Sequence, residues 1–231
     1  MFHDLQPQTT HDPFASLSPE ALIRWASEEF GLGLAASTSF GIQSAVTLHL
    51  IHQQVPDLPI IWVDTGYLPE ETLQYARTLT RRLDLNVHDV KSPISPKEME
   101  SRFGRLWESD DVRQLDLYDH LRKVEPMQRA LRELKVSGWI SGLRAEQTQH
   151  RQQLPRVKRD DQRHRIYPIL RWSSRDVYQY MQTHRLPQHP LFDRGFSTVG
   201  DVHSSRASLP TDAHDRATRF RGMKQECGLH L

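Results

Sequence analysis

The sequence predicts an α/β fold built on an open, mostly parallel sheet, and three features predict it. Gly31 to Ala36 and Pro59 to Val63 are short apolar runs of strand length, and Leu85 to Val90 alternates. The first two end in small or polar residues, at Ser37 and at Asp64. Amphipathic helix patterns with apolar residues three and four apart separate them, which is the rhythm of parallel strands joined by crossover helices.

Taken in order, residues 1 to 17 are polar and carry Pro7 and Pro13, so they read as a loose surface segment. Ser18-Pro19-Glu20 is a helix start, with serine at the cap and proline in the first turn, and Leu22, Ile23, Ala26 and Phe30 form its buried face. The first strand follows, with Gly31 and Gly33 at its entry. Ser37, Thr38, Ser39, Phe40 and Gly41 then separate it from a helix marked by Ala45, Leu48 and Ile51. Small residues at that point let backbone N–H groups face an anion near a helix N-terminus; an ordinary βα turn uses the same residues. The second strand ends in Asp64-Thr65-Gly66-Tyr67, and Pro69 opens a helix with Leu73, Ala76, Leu79 and Leu83. Asp64 is suited to a ribose hydroxyl or to holding its own turn.

Residues 91 to 125 read as charged and irregular, anchored by Phe103, Leu106 and Trp107. Lys123-Val124-Glu125-Pro126 leads into a helix with Met127, Ala130, Leu131 and Leu134. Trp139 to Ser141 is a further strand, and Gly142-Leu143-Arg144 places an arginine at the same sheet edge. Arg151, Arg156, Lys158, Arg159, Arg163 and Arg165 form a basic run with few aromatics, a pattern of a solvated hairpin or loop rather than a nucleic-acid patch. Ile166, Tyr167, Ile169 and Leu170 read as the next strand, and Ser173 or Ser174 caps a helix with Val177, Tyr180 and Met181. Periodicity is lost from Leu186 onward. The division expected is therefore 1–17, a domain over 18–200, and a tail over 201–231.

Composition narrows the function. Thirty Lys and Arg against 29 Asp and Glu give a net charge of +1, so any anion site has to be local, and neither nucleic acid nor an anionic membrane is the expected partner. No run reaches the ~18 apolar residues of a membrane span, and no basic-then-apolar leader is present, so a cytoplasmic location is expected. The one cysteine, Cys227, excludes an internal disulfide and an iron–sulfur cluster held by this chain's own thiolates. None of the 13 histidines has HExxH spacing, and no metal is expected.

Cys227 sits in Lys224-Gln225-Glu226-Cys227-Gly228-Leu229-His230, a polar tail rather than an apolar periodic segment. Arg216, Arg219, Arg221, Lys224 and His230 favour its thiolate, and Glu226 opposes them. Gly222 and Gly228 give the tail freedom to swing onto a site elsewhere. A thiolate that attacks an anionic electrophile needs cations around it, and Lys123, Arg144, Arg216 and Arg219 are candidates.

Five separated motifs together resemble the phosphoadenosine phosphosulfate (PAPS) reductases, the thioredoxin-dependent enzymes of sulfate assimilation. Ser37-Thr38-Ser39-Phe40-Gly41-Ile42-Gln43 resembles the family's modified PP-loop. Asp64-Thr65-Gly66-Tyr67, Lys123-Val124-Glu125-Pro126-Met127 and Gly142-Leu143-Arg144 with Gln147 and Arg151 resemble its site-edge segments, and Glu226-Cys227-Gly228-Leu229-His230 its C-terminal signature. The resemblance implies an adenine nucleotide alpha hydrolase-like fold with a mobile C-terminal tail, usually in a homodimer. It implies that Cys227 attacks the sulfonate of bound PAPS and that a thioredoxin or glutaredoxin-like thiol then releases sulfite, with no bound cofactor. Lys123, Arg144, Arg216, Arg219 and His230 would line the phosphosulfate pocket. Where the cluster-bearing adenosine phosphosulfate (APS) reductases carry cluster cysteines, this chain reads Tyr118-Asp119 and Asp201-Val202-His203-Ser204, and Gln43 replaces the acidic residue of ATP pyrophosphatases. A cluster-free APS reductase, a PP-loop nucleotide transferase or tRNA-thiolation protein, and a non-catalytic nucleotide-binding module stay open on the residues alone.

Overall fold

The computed structural model describes residues 12–212, 218–224, 226, 228 and 229. Its centre is a six-stranded sheet of β1 (Leu34–Thr38), β2 (Ile60–Asp64), β3 (Val87–Lys91), β4 (Gly138–Ile140), β5 (Val157–Arg159) and β6 (His164–Ile166), in the order β3-β2-β1-β4-β6-β5. All neighbours are parallel except β5 and β6, which form an antiparallel hairpin. The chain leaves β1 for β2 and β3 on one side and returns to β4 on the other. The carboxyl ends of β1 and β4 therefore border a crevice where strand order reverses, the place where such sheets bind ligands.

Burial on both faces explains the apolar strands. Leu34, Ala36, Ile60, Ile140 and Ile166 join the core formed with α1 (Pro19–Phe30), α2 (Ser44–Gln54), α3 (Glu70–Arg82) and α8 (Ser174–Thr183). Ala35, Ile61 and Trp139 point the other way, onto Met127, Ala130 and Leu131 of α6 (Glu125–Glu133). Alternate residues thus serve two cores. Ser18 caps α1 by accepting from Ala21 N–H, and Ser173 caps α8 in a reciprocal box with Asp176.

Gly31–Gly33 is a 3-10 turn, and the first strand begins at Leu34. The stretch 91 to 125 is largely helical: α4 (Pro96–Phe103) and α5 (Val112–Asp119) are capped by Ser95 and Asp111, but each is eight residues long and too short to show a period. Phe103 is exposed there, whereas Leu106 is buried. Tyr167 to Leu170 is a buried turn, since only His164–Ile166 pairs in the sheet. The basic run forms the one-turn helix α7 (Gln149–Gln152) and then the β5–β6 hairpin, yet Arg151, Arg156 and Arg163 are buried rather than solvated. Arg156, for example, donates to the carbonyls of Phe14 and Pro168. Its cost of desolvation is met by acceptors that no local pattern reveals.

Between α5 and α6 the backbone forms one π-turn, His120–Val124. Pro126, which has no N–H, stands four residues after Arg122, so the regular bond to the Arg122 carbonyl cannot form and the helix widens. The consecutive side chains of Arg122 and Lys123 both become buried as a result.

Candidate active site

A cavity of about 250 Å³ opens at the carboxyl ends of β1, β2 and β4. Its floor is the end of β1 and the loop after it, with Ser37 and Thr38, then Ser39, Gly41 and Gln43, followed by Ser44 and Thr47 of α2. Phe40 N–H donates to Thr38 Oγ1 at 3.0 Å, and Ser44 Oγ donates to the Gly41 carbonyl at 2.8 Å, which closes the loop on itself. Phe40, not a glycine, takes the left-handed position (φ 47°). Its ring is fully buried against Trp62, so packing holds the strained backbone. Phe40 consequently faces the core and not the cavity.

The second wall comes from β4 and the turn after it, with Ser141, Gly142, Leu143 and Arg144. Gly142 is required by space: a Cβ there would lie 2.6 Å from Thr47 Oγ1. Arg144, 1% exposed, donates to Glu146 Oε2 at 2.8 Å and to Gln43 Oε1 at 2.5 Å, tying this turn to the loop after β1. From the other side Thr65, Lys123 and Met127 meet Asp201 and Arg219. Asp64 and Gly66 stand apart from the lining. The Asp64 carboxylate accepts from Gly66 N–H at 2.9 Å and pairs with Lys91 at 3.2 Å, the turn-holding role of the two its sequence position offered.

Asp201 is the hub of the charged wall. It is fully buried and accepts from Tyr118 Oη at 2.9 Å, from Thr65 Oγ1, and from Lys123 Nζ at 2.8 Å. Burial pushes its carboxyl up, but the Lys123 ammonium, the Thr65 hydroxyl and the Arg219 guanidinium together outweigh burial and hold it well below the usual carboxylate range. Lys123 also contacts Asp119 Oδ1 at 2.9 Å. Arg219 donates to the hydroxyls of Ser204 and Ser205, both at 3.2 Å, and lies against Gly200, where any side chain would collide with its guanidinium. His203 stacks on Trp107 behind Asp201, and burial lowers its pKa to about 4.

The tail meets this cavity. Glu226 accepts from Arg151 Nε at 2.7 Å, Arg151 Nη2 at 2.6 Å and Thr148 Oγ1 at 2.8 Å. Leu229 lines the cavity and packs with Met127 and Trp139, and its carbonyl accepts from Arg165 at 3.1 Å. Gly228 (φ 80°) comes close to Val124. Cys227, Arg216 and His230 lie outside the described residues.

Of the residues expected at the site, Ser37, Thr38, Ser39, Gly41, Gln43, Thr65, Lys123, Gly142, Arg144, Arg151 and Arg219 share this one cavity; Phe40, Asp64 and Gly66 do not line it. Sequence reading gave no site role to Asp201, Thr47 or Ser141. Thr47 lay inside a helix pattern as a polar residue among apolar ones, which was a usable signal. Asp201 lay in an aperiodic stretch, marked only by its place among the positions where the cluster-bearing reductases carry cysteines.

A phosphate-sized loop and an arginine-lined crevice at the reversal point of a parallel sheet define a nucleotide-binding α/β protein of the PP-loop type. The phosphoadenosine phosphosulfate reductase domain model matches residues 33–207. A phosphoadenosine 5'-phosphosulfate reductase of Synechococcus sp. is 59% identical over 91% of this chain and 90% of its own, and that of Xanthomonas oryzae pv. oryzae is 48% identical over 93% and 88%. The crystal structure of a phosphoadenylyl-sulfate reductase from Candida auris, a phosphate complex, superposes with a TM-score of 0.72 at 31% identity, covering 84% of this chain and 93% of that one. An FMN adenylyltransferase of Candida glabrata, 13% identical with a TM-score of 0.61 over 85% of this chain and 65% of its own, shares the fold alone. The chain belongs to the phosphoadenosine phosphosulfate reductase family, and it is an enzyme of that type.

Proposed function

We propose that this enzyme reduces 3′-phosphoadenylyl sulfate to sulfite and adenosine 3′,5′-bisphosphate in sulfate assimilation, through an S-sulfocysteine on Cys227, with a thioredoxin or glutaredoxin-like dithiol as reductant. The observation that carries this reading is the seating of Glu226 and Leu229, which flank Cys227 in sequence, on the wall of the cation-lined cavity. Ser37 to Gly41 and the start of α2 hold the nucleotide's phosphate; Lys123, Arg144 and Arg219 face the phosphosulfate. The Cys227 thiolate attacks the sulfonate sulfur. The S–O bond to the 5′-phosphate breaks, and its electron pair leaves with the bisphosphate. A reductant thiolate then attacks Cys227 Sγ, sulfite departs with the S–S electron pair, and the second reductant thiol resolves the mixed disulfide. Cys227 returns as thiolate, and the reductant ends as its disulfide. The leaving group is already an anionic phosphate, so charge stabilisation matters more than a general acid. No bound cofactor enters this scheme. A homodimer in the cytoplasm is the form in which we expect it to work.

Sulfite release with thioredoxin, measured as kcat/KM for PAPS and for APS, tests the assignment. A preference for PAPS supports it; a preference for APS moves the substrate to the nucleotide lacking the 3′-phosphate. ATP-dependent pyrophosphate release without sulfite would instead place the protein with the PP-loop transferases.

A further inference from the structure

Two lysines from distant parts of the chain meet on one carboxylate. Asp119 Oδ1 lies 2.9 Å from Lys123 Nζ at the cavity wall. Its other oxygen, Oδ2, lies 2.7 Å from the Nζ of Lys224, an ion contact off the hydrogen-bonding direction, and Lys224 also pairs with Asp116 Oδ1 at 2.6 Å. Lys224 belongs to the tail, with only Gln225 and Glu226 between it and Cys227. The Asp119 side chain is 2% exposed and that of Asp201 is fully buried, so water screens these charges poorly.

The balance of charge depends on Lys224. Lys123 alone faces two buried carboxylates, Asp119 and Asp201. With Arg219, whose charge also acts on Asp201, this cluster sums to zero. Lys224 adds one positive charge to these buried groups, whereas the Asp116 carboxylate it also touches is 59% exposed and is screened by water, so an anion entering the cavity would feel the difference.

We propose that Asp119 couples the tail to the cavity: Lys224 seated on Asp119 leaves Lys123 freer to hold an anionic nucleotide, and a bound anion in turn strengthens the hold of Asp119 on Lys224. Lys224 is then a positioning residue that acts through Asp119 and Lys123 without touching the substrate. The coupling is reciprocal by thermodynamic necessity, so the arriving nucleotide seats the segment that carries the nucleophile. This inference rests on the nucleotide-binding reading given above.

Calorimetric titration with adenosine 3′,5′-bisphosphate tests it without any turnover, on the full chain and on Lys224→Gln, Lys224→Arg, Asp119→Asn and the double variant Lys224→Gln/Asp119→Asn. Lys224→Gln should weaken Kd about tenfold and Lys224→Arg less than about threefold, and the effect of Lys224→Gln should vanish in the Asp119→Asn background. A Kd unchanged by Lys224→Gln, or an effect that persists undiminished without the Asp119 charge, overturns the coupling. Should Asp119→Asn fail to fold, the Gln and Arg variants of Lys224 decide alone: weakening rescued by arginine supports the coupling, and equal Kd values overturn it. Absence of binding to the unaltered chain would overturn the nucleotide reading itself, an outcome distinct from binding that ignores Lys224.

Discussion

Arg151 and Glu226 meet as a two-pronged ion pair, Nε 2.7 Å from Oε1 and Nη2 2.6 Å from Oε2, across 75 positions of sequence. Their side chains are 6% and 9% exposed. A pair this dry costs little when whole and much when halved, because removing one partner of a buried pair leaves the other charged, buried and uncompensated. The contact holds the residue before Cys227 against the cavity wall, so its first consequence is kinetic.

Glu226→Gln preserves shape and removes the charge. The expected outcome is a fall of roughly 30- to 100-fold in kcat/KM for sulfite release, with the loss in kcat, because a tail seated less often presents its nucleophile less often. Steady-state kinetics on Glu226→Gln and Glu226→Asp check it, with aspartate recovering part of the loss.

Gly142→Ala places a methyl group 2.6 Å from Thr47 Oγ1 at the cavity wall. One of the two must move, and the cavity narrows. KM for the nucleotide is expected to rise about tenfold, and Thr47→Ala combined with Gly142→Ala should restore most of it. A double variant as impaired as the single one would show that the crowding lies elsewhere.

Asp201→Asn strips the carboxylate that Lys123, Tyr118 and Thr65 share. Lys123 keeps Asp119 but loses half its compensation within a buried cluster. A loss of about 3 kcal/mol is expected, which for a chain of this size lowers Tm by about 6–12 °C. Differential scanning calorimetry measures it.

His189 gives the stability a sign with pH. It is fully buried, accepts from Leu191 N–H through Nδ1 and shares a 3.1 Å hydrogen bond with Thr72 Oγ1, and burial lowers its pKa from 6.5 to about 4. Between pH 6.5 and about 4 the unfolded chain takes up a proton that the folded chain refuses. Stability is therefore complete above pH 6.5 and declines as pH falls toward 4. In His189→Gln, Tm should depend less steeply on pH across that window, by about one proton of linked uptake. His203, lowered to about 4 by its own burial, keeps its share.

The elements that sequence reading recovered are those whose pattern is local. Ser18-Pro19 starts a helix wherever it is placed, and the apolar run after Gly33 has to be covered on both faces. What escaped it depends on partners far along the chain. The run of arginines looks solvated until Glu226, 75 positions away, and the carbonyls near the N-terminus supply acceptors. The helices α4 and α5 are too short to show a period. The shift of Lys123 into the cavity wall comes from a proline three residues downstream acting on backbone hydrogen bonds. The site was legible as motifs, whereas its hub, Asp201, was not, because a lone aspartate in an aperiodic segment acquires its role only when Lys123, Tyr118 and Thr65 converge on it.

In the proposed reaction the Cys227 sulfur takes the sulfonate from the nucleotide. Incubation of the protein with PAPS in the absence of reductant, followed by mass spectrometry of the tail peptide, measures it directly. The account predicts one SO3 group on Cys227, formed in step with bisphosphate release and discharged as sulfite when thioredoxin is added. An unmodified Cys227 alongside released bisphosphate, or sulfite production that survives Cys227→Ser, would contradict it.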